Sequence, residues 1–321
     1  MNKIKFWEFV HEYLQADEPL MLLLVTESGG SSPGRPGFKM AVTADGLIHG
    51  TIGGGIMERE LAAKAAKLLA RGSARPQLLK LLHHEGGAGT RSGMICSGWQ
   101  RLAMVPLSVA DSDAVDSLIF ALQRNRPGRL RISPAGMEFQ PRKKPAADLT
   151  FSCKAKEAWL YQEEAGQRPT LTIIGGGHVG LALSRVMADL NFHIVVLDDR
   201  ARLATMEENT FAREKQTVSF KRIGKLVNEG GQSYVVIMTF GHQADERVLR
   251  QLAEKKLRYL GLMGSPAKIA QIFANLKKKG VAAASLKKVH APIGLSIHSH
   301  TPEEIAISIA AEIIKVKNEK K

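Results

Sequence analysis

The stretch TLTIIGGGHVGLALSRVMADL, residues 170–190, constrains the fold of this chain more than any other feature. A run of β-forming apolar residues leads directly into three glycines, and the residues after them have the apolar spacing of an amphipathic helix. The alternation continues toward the C-terminus, with strands predicted at HIVVLDD, YVVIMTF and RYLGLMG and helices between them. Continuous apolar strands that alternate with amphipathic helices predict a parallel sheet with helices on both faces.

The three glycines fit the pattern Gly175-x-Gly177-x-x-Gly180, which follows a predicted strand and opens a predicted helix. In dinucleotide-binding folds the first glycine permits a tight turn, the second lets the backbone approach a pyrophosphate, and the third lets helix and strand pack closely. The helix that begins near His178 would offer unpaired N–H groups and a partial positive charge to a phosphate. The pattern predicts a Rossmann-like, doubly wound C-terminal domain over residues 168–321.

A carboxylate follows the second strand of this domain. Asp198 lies 18 positions after Gly180, where an acidic side chain can accept hydrogen bonds from ribose hydroxyls. It favours an unphosphorylated ribose, whereas the neighbouring Arg200 leaves a 2′-phosphate open. We therefore expect a nucleotide or a nucleotide-like ligand at this loop.

Two further loops follow strands of the predicted parallel sheet, at the edge where such folds bind ligands. TFGHQAD contains His242 and Asp245, and GLMGSPAK contains Gly264, Ser265 and Lys268. His242 and Asp245 are candidate catalytic residues, and His242 could donate or accept a proton because the ordinary pKa of histidine lies near neutrality. The alternative is that Asp245 caps the next helix and His242 is a polar loop residue.

The first part of the chain predicts a smaller α+β domain over residues 1–125. Its pattern is a helix, a strand, the loop SGGSSPGRPG, two short strands, a second glycine loop, an alanine-rich helix, two more strands and a last helix. Residues 126–167 follow with several prolines and many charges, and we interpret them as a linker that could hold a hairpin.

The second glycine loop, TIGGGIMERE, resembles the first but differs at one decisive position. Its glycines are Gly53, Gly54 and Gly55, and the fingerprint would require glycine at position 58, where the chain has Glu58. A carboxylate in the first helical turn suits the helix dipole but would repel a pyrophosphate. This loop is either a set of tight turns or one wall of a different ligand site.

Two other segments would converge on that second site, SGGSSPGRPG and GMICSGW. Together they would supply Ser31, Ser32, Arg35 and the thiol of Cys96. Cys96 is a candidate catalytic residue of this second site.

Composition narrows the function classes. The formal net charge is +14, but the basic clusters are dispersed and aromatic residues make up only 6%, so we expect no nucleic-acid partner. The absence of an apolar run of about 20 residues and of a signal peptide predicts a cytoplasmic protein without a membrane span. The two cysteines have no zinc spacing, and we expect no structural metal.

Several segments, taken in order, resemble one known family. They are SGGSSPGRPGFKMAVTADG, GTIGGGIMERELAAKA, IIGGGHVG, VVLDDR, YLGLMGSPAK and APIGLSIHSHTPEEIAISIAAEII. On the basis of these segments, the chain is identified as a member of the XdhC/CoxI family, the xanthine dehydrogenase accessory factors. The resemblance implies a protein that binds the molybdenum cofactor, aids its sulfuration together with a cysteine desulfurase, and passes it to a xanthine dehydrogenase-type apoenzyme.

The resemblance also implies site residues, and this chain departs from the family pattern at three of them. Cys96 matches a family cysteine that is usually followed by two glycines, but Ser97 follows it here. Phe240 replaces the histidine that usually follows the threonine of the third strand, and Pro266 replaces an arginine. Cys96 remains a candidate molybdenum contact under this resemblance.

Two other functions stay open at this point. An NAD(P)-dependent oxidoreductase is favoured by the glycine fingerprint and by Asp198, but the chain has no Tyr-x-x-x-Lys pair and His242 would have to act alone. A nucleotide sensor or a structural scaffold is the third interpretation. A homodimer is expected from the frequency of symmetric dimers among soluble proteins.

Overall fold

A computed structural model of the chain describes residues 3–83, 98–144 and 149–319. The protein forms two compact units, Met1–Gln167 and Arg168–Lys321, which we call the N-terminal unit and the C-terminal unit. In these described ranges no helix has the length and apolar character that a membrane span requires.

The N-terminal unit combines helices with antiparallel strands. Its described elements are, in chain order, α1 (Lys3–Gln15), β1 (Leu20–Gly30), β2 (Lys39–Val42), β3 (Ile48–Gly50), α2 (Gly55–Ala70), β4 (Gln77–His83), β5 (Gly98–Leu107), α3 (Ser112–Gln123), β6 (Gly128–Ser133), β7 (Gly136–Pro141), β8 (Thr150–Ala155) and β9 (Ala158–Ala165).

The central strand of the N-terminal unit is β1, in a five-stranded antiparallel sheet of order β3-β2-β1-β5-β4. Its LMLLLV run is buried on both faces, which is unusual for an antiparallel sheet. Leu20, Leu22 and Leu24 pack in the core that contains α1 and α3. The alternate residues of the strand pack in a second core, against α2. The continuous apolar run therefore reflects two separate cores on opposite faces of one strand.

Residues 126–167, interpreted as a linker that could hold a hairpin, contain a four-stranded antiparallel sheet of order β7-β6-β9-β8, in which consecutive strands β6–β7 and β8–β9 pair. Burial alternates along β6, so Leu130 and Ile132 enter the core beneath α3 while their neighbours remain partly exposed. Trp159 and Tyr161 of β9 are buried in the same core. The sequence reads as a linker because only one face of each strand is apolar and because prolines stand at the strand ends.

The C-terminal unit consists of parallel strands joined by helices. Its described elements are, in chain order, β10 (Thr170–Ile174), α4 (His178–Asp189), β11 (His193–Asp198), α5 (Ala204–Glu207), β12 (Glu214–Thr217), α6 (Ile223–Leu226), β13 (Gly230–Ile237), α7 (His242–Leu252), β14 (Leu257–Leu262), α8 (Pro266–Lys278), α9 (Ala283–Leu286) and α10 (Pro302–Asn318).

All pairings in the five-stranded sheet of this unit are parallel, and its strand order is β12-β11-β10-β13-β14. Alternate residues of β13 enter two cores, one with α7 and α8 and the other with α4 and α10. The predicted α/β class, with a Rossmann-like sheet at the C-terminus and a mixed N-terminal region, is confirmed. The order reverses between β10 and β13, and ligands of such sheets bind beside this switch, at the carboxyl ends of the strands.

Candidate functional site

The glycine loop after β10 lies at the switch of strand order. Gly175 has a φ of +118°, and an added Cβ would lie 2.3 Å from the carbonyl oxygen of Met238. At Gly180, an added Cβ would lie 2.5 Å from the carbonyl oxygen of Gly175. Backbone packing therefore requires the first and third glycines. Gly177, the N-cap of α4, has no described atom within 4 Å of an added Cβ, so space for a ligand is open beside it.

Asp198, the expected ribose-binding residue, is buried and fully engaged by the protein itself. Its Oδ1 accepts hydrogen bonds from Nε and the backbone N–H of Arg200, both at 2.9 Å. Its Oδ2 accepts from Nη2 of Arg200 at 2.8 Å and from the backbone N–H of Gly176 at 2.7 Å. Burial opposes the charged form, but these hydrogen bonds outweigh it and lower the pKa of Asp198. In this structure Asp198 anchors the glycine loop and orients Arg200.

A cavity of about 410 Å³ opens beside the glycine loop. Gly177 and His178 line it on the side of α4, Arg200 on the side of β11, and Met238 and Phe240 on the side of β13. The volume lies in the range of small-molecule sites, which run from roughly 300 to 1,000 Å³. Apolar side chains form most of the wall, and the polar side chains that line it are those of His178, Arg200, Thr205 and Thr239.

The loops TFGHQAD and GLMGSPAK are joined by an ion pair between Asp245 and Lys268. The carboxylate of Asp245 is fully buried, with Oδ2 at 2.6 Å from Nζ of Lys268. Its Oδ1 accepts from the hydroxyl of Thr239 at 2.6 Å and from the backbone N–H of Thr239 at 3.0 Å. Ser265 caps α8 by accepting from the N–H of Lys268, and an added Cβ at Gly264 would lie only 3.0 Å from Cδ of Lys268. These contacts hold the two loops in place.

His242, the candidate acid or base, lines other cavities. It is exposed, and it borders two cavities of about 450 and 380 Å³ between α7 and α8, together with Glu246 and Asn275. It is not among the residues that line the cavity beside Gly177. The structure thus brings Gly177, His178 and Arg200 together at one cavity and leaves His242 outside that group.

In the second glycine loop, TIGGG, the carboxylate of Glu58 accepts hydrogen bonds from the loop itself. One carboxylate oxygen, Oε2, accepts from the hydroxyl of Thr51 at 2.6 Å and from the backbone N–H groups of Ile52 and Gly54, both at 2.9 Å. Gly53, Gly54 and Gly55 all have positive φ, between 78° and 131°. The sequence predicts that Glu58 repels an anion, and the structure shows its carboxylate bound where an anion would lie.

The loop SGGSSPGRPG lies directly against TIGGG. The buried Gln100 accepts from the hydroxyl of Ser32 at 3.0 Å and from the backbone N–H of Gly34 at 3.2 Å. An added Cβ at Gly53 would lie 2.8 Å from N of Gly34, so the two loops are in backbone contact. An added Cβ at Gly98 would likewise lie 2.7 Å from the carbonyl carbon of Ser31.

Ser31 and Arg35 are exposed on this cluster of loops, whereas Ser32 is buried. Cys96, the candidate catalytic residue and molybdenum contact, lies outside the described residues, as does Ser97.

Comparison with known proteins places both units in one family. A model described as the XdhC Rossmann domain matches residues 171–313, and a model described as the XdhC and CoxI family matches residues 13–83. The Rossmann-domain model matches the C-terminal unit and the other model matches the N-terminal unit. Together they span most of the chain. The chain belongs to the XdhC and CoxI family.

Two curated proteins are similar to this chain at low identity. The uncharacterized protein YqeB of Escherichia coli K12 is 28% identical over 303 residues, which cover 94% of this chain and 44% of YqeB. A Bacillus subtilis 168 protein, named as a probable xanthine dehydrogenase subunit, is 26% identical over 158 residues, 49% of this chain and 46% of that protein. The chain therefore spans less than half the length of either relative.

A crystal structure described as a xanthine dehydrogenase from Bacillus halodurans shares the fold. Its TM-score is 0.76 at 24% identity, with 100% of this chain and 97% of that chain covered. The likeness extends over both units of this XdhC and CoxI family member.

Sequence patterns do not predict the roles of three residues in or beside these loops. Gln100 bridges two loops but stands in a strand without a recognisable motif. Thr239 binds Asp245 through both its hydroxyl and its backbone N–H. Phe240 is recognisable in the sequence only as a departure from the family pattern, although its position shortly after an apolar strand is a signal that it lies at the ligand edge.

Proposed function

We propose that this protein is an accessory factor of a xanthine dehydrogenase-type enzyme and that it carries the molybdenum cofactor of that enzyme. The observation that carries the proposal is the match of both units, in order, to the models of one family of accessory proteins. The name of the Bacillus subtilis relative, which refers to xanthine dehydrogenase, points to the same client.

The cavity beside Gly177 is the proposed cofactor site in the C-terminal unit. A molybdopterin-type cofactor has a flat ring system and a phosphate, and the residues present fit both parts. The amino end of α4 offers N–H groups to the phosphate, and open space lies beside Gly177. The apolar wall with Met238 and Phe240 suits the ring. The cofactor is cargo in this proposal, and its redox chemistry belongs to the client.

Sulfuration and insertion form the finer part of the proposal. A cysteine desulfurase would deliver sulfur to the cofactor while the accessory protein holds it, and Cys96 is the proposed contact to molybdenum. Support for this role comes from the family membership and from the softness of a thiolate ligand. Molybdenum and pterin bound by Cys96→Ala, compared with the unchanged protein, test the thiol.

One experiment tests the central claim. The full chain is purified from hosts with and without cofactor biosynthesis, and bound molybdenum and pterin are measured. The client apoenzyme is then added, and recovery of its activity is followed. We expect both components to co-purify only from the competent host and to activate the client. Protein that carries neither from that host, and gives no activation, refutes the proposal.

A matched pair of glycine variants locates the site. Gly177 has a negative φ of −69° and open space around it, so Gly177→Asp strains nothing but places a carboxylate at the amino end of α4. Gly231, in β13, also has open space beside it, and Gly231→Asp adds the same charge at the other end of the sheet. We expect Gly177→Asp to carry at least about tenfold less pterin than the unchanged protein, because its carboxylate repels the phosphate of the cofactor at the amino end of α4. Gly231→Asp should show no such loss.

An NAD(P)-dependent oxidoreductase is the second candidate, favoured by the geometry of the glycine loop. The four hydrogen bonds that occupy Asp198 weigh against it, because they leave that carboxylate no free acceptor for ribose. Calorimetric titration with NADH and NADPH separates the candidates. Binding at micromolar concentration together with hydride transfer would favour the oxidoreductase over the accessory factor.

A further inference from the structure

Phe240 stands out among the large apolar side chains that the structure describes. It is 91% exposed, more than any other large hydrophobic residue in the described ranges. Buried aromatic rings contribute strongly to stability, and a ring left almost wholly in water contributes almost nothing to the fold. Phe240 directly follows Thr239 at the carboxyl edge of the parallel sheet and lines the cavity beside the glycine loop. The position of this exposed ring favours a role in ligand binding.

Arg200 places a second flat group beside that ring. The guanidinium carbon of Arg200 lies 6.0 Å from the centroid of the Phe240 ring, within the range of a cation–π contact. Two of the three guanidinium nitrogens donate to the buried carboxylate of Asp198, as a bidentate pair. A guanidinium held by two parallel hydrogen bonds is fixed in orientation before any ligand arrives. The cavity therefore has a pre-oriented cationic plane next to an exposed aromatic plane.

The rest of the cavity indicates what would lie against these planes. Leu203, Met238 and Met263 supply apolar and polarizable surface, which suits the face of a ring system. The amino end of α4, at Gly177 and His178, supplies unpaired N–H groups for an anion. A ligand that uses both features has a planar ring and a phosphate.

We propose that Phe240 and Arg200 form a stacking platform for the heteroaromatic ring of a phosphate-bearing ligand. The proposal rests on the function proposed above insofar as the cofactor cargo is such a ligand, and it adds how the ring is recognised. Phe240 and Arg200 contact the flat face of the ligand's ring. Asp198 orients Arg200 and does not itself contact the ligand. Phe240 is thus a specificity-determining residue.

The test uses the full chain, guanosine 5′-monophosphate as the ring-bearing probe and ribose 5-phosphate as the probe without a ring. Loss of a stacked aromatic weakens base binding by roughly 5- to 150-fold. We expect Phe240→Ala to weaken binding of guanosine 5′-monophosphate by at least about fivefold and to leave ribose 5-phosphate unchanged. Phe240→Tyr, which keeps the ring, should bind within about twofold of the unchanged protein.

Phe211→Ala is the matched control, because Phe211 is a partly exposed phenylalanine of the same unit that does not line the cavity. It should leave both titrations unchanged. The inference is overturned if the unchanged protein does not bind guanosine 5′-monophosphate, or if Phe240→Ala binds it as tightly as the unchanged protein does.

The same variants keep this inference separate from the proposed function. Molybdenum and pterin that co-purify equally with the unchanged protein and with Phe240→Ala refute the platform and leave the accessory function standing. A protein that carries no molybdenum, yet loses affinity for the nucleotide through Phe240→Ala, supports the platform and refutes the accessory function.

Discussion

Glu312, in the last helix, offers a stability prediction whose size follows from the structure. Its Oε1 lies 3.0 Å from Nδ1 of His290, and its Oε2 accepts from the hydroxyl of Tyr259 at 2.5 Å and from the N–H of Gly294 at 2.9 Å. Burial alone would raise the pKa of Glu312, but these hydrogen bonds outweigh it and lower the pKa from 4.5 to about 2. The network ties the segment around Gly294 to α10.

The magnitude follows from linkage. A carboxyl group with a lowered folded pKa contributes stability above its unfolded pKa and loses it as the pH falls through the folded value. Each pKa unit corresponds to about 1.4 kcal/mol, so the shift of Glu312 contributes at most about 3 kcal/mol at pH 7. At pH 3, between the two pKa values, less than half of that contribution remains, and it vanishes below about pH 2.

Glu312→Gln keeps the size of the side chain and removes its charge. We expect a loss of up to about 3 kcal/mol in the free energy of unfolding of the C-terminal unit at pH 7, and a smaller difference from the unchanged protein at pH 3. Hydrogen exchange of peptides from α10, corrected for intrinsic rates at each pH, measures that unit. The three tryptophans, Trp7, Trp99 and Trp159, all lie in the N-terminal unit, so their fluorescence follows the other unit separately.

Glu303→Gln, an exposed change in the first turn of α10, is the control and should cost less than about 1 kcal/mol. A deficit of Glu312→Gln that stays constant from pH 7 to pH 3 would refute the reasoning, because an uncharged packing defect does not titrate.

Two further predictions concern the N-terminal unit and are measured by urea denaturation with tryptophan fluorescence. Nζ of Lys39 lies 2.6 Å from Oε1 of Glu163 inside the protein, so Lys39→Met should cost about 3–5 kcal/mol by leaving a buried carboxylate unpaired, and adding Glu163→Gln should restore part of the loss. No recovery in the double variant would contradict this account. Glu58→Gln should cost about 1–2 kcal/mol because its charged hydrogen bonds to the loop weaken, whereas the exposed Glu60→Gln on the same helix should cost almost nothing, and equal costs would count against that role.

Much of the C-terminal unit can be predicted from the sequence, because local patterns dictate it. Continuous apolar strands, the glycine spacing and the capping box at Thr301 and Glu304 each act within a few residues of themselves. The strand β12 is not predicted, because all four of its residues, EKQT, are exposed and show no apolar periodicity. The sheet over 126–167 escapes prediction for a related reason, since its half-buried strands depend on a core supplied by α1 and α3.

The candidate site can be located from the sequence, but its hydrogen bonds and ion pairs cannot. The glycine spacing predicts Gly177 at the amino end of a helix, and the structure puts it beside a cavity. The engagement of Asp198 by Arg200 depends on a rotamer that composition and spacing do not determine. The ion pair of Asp245 with Lys268 joins loops that follow different strands, and sequence patterns carry no information about such a pairing.

The internal carboxylate of TIGGG has a consequence for how this loop can change. The N–H groups of Ile52 and Gly54 already converge on one oxygen atom, so the geometry of an anion receptor is built and kept closed by a single side chain. Removing the side chain of Glu58, as in Glu58→Ala, would release those donors without altering any glycine. A single substitution at Glu58 would therefore open this receptor. The loop at Gly175 needs no substitution, because space beside Gly177 is already open.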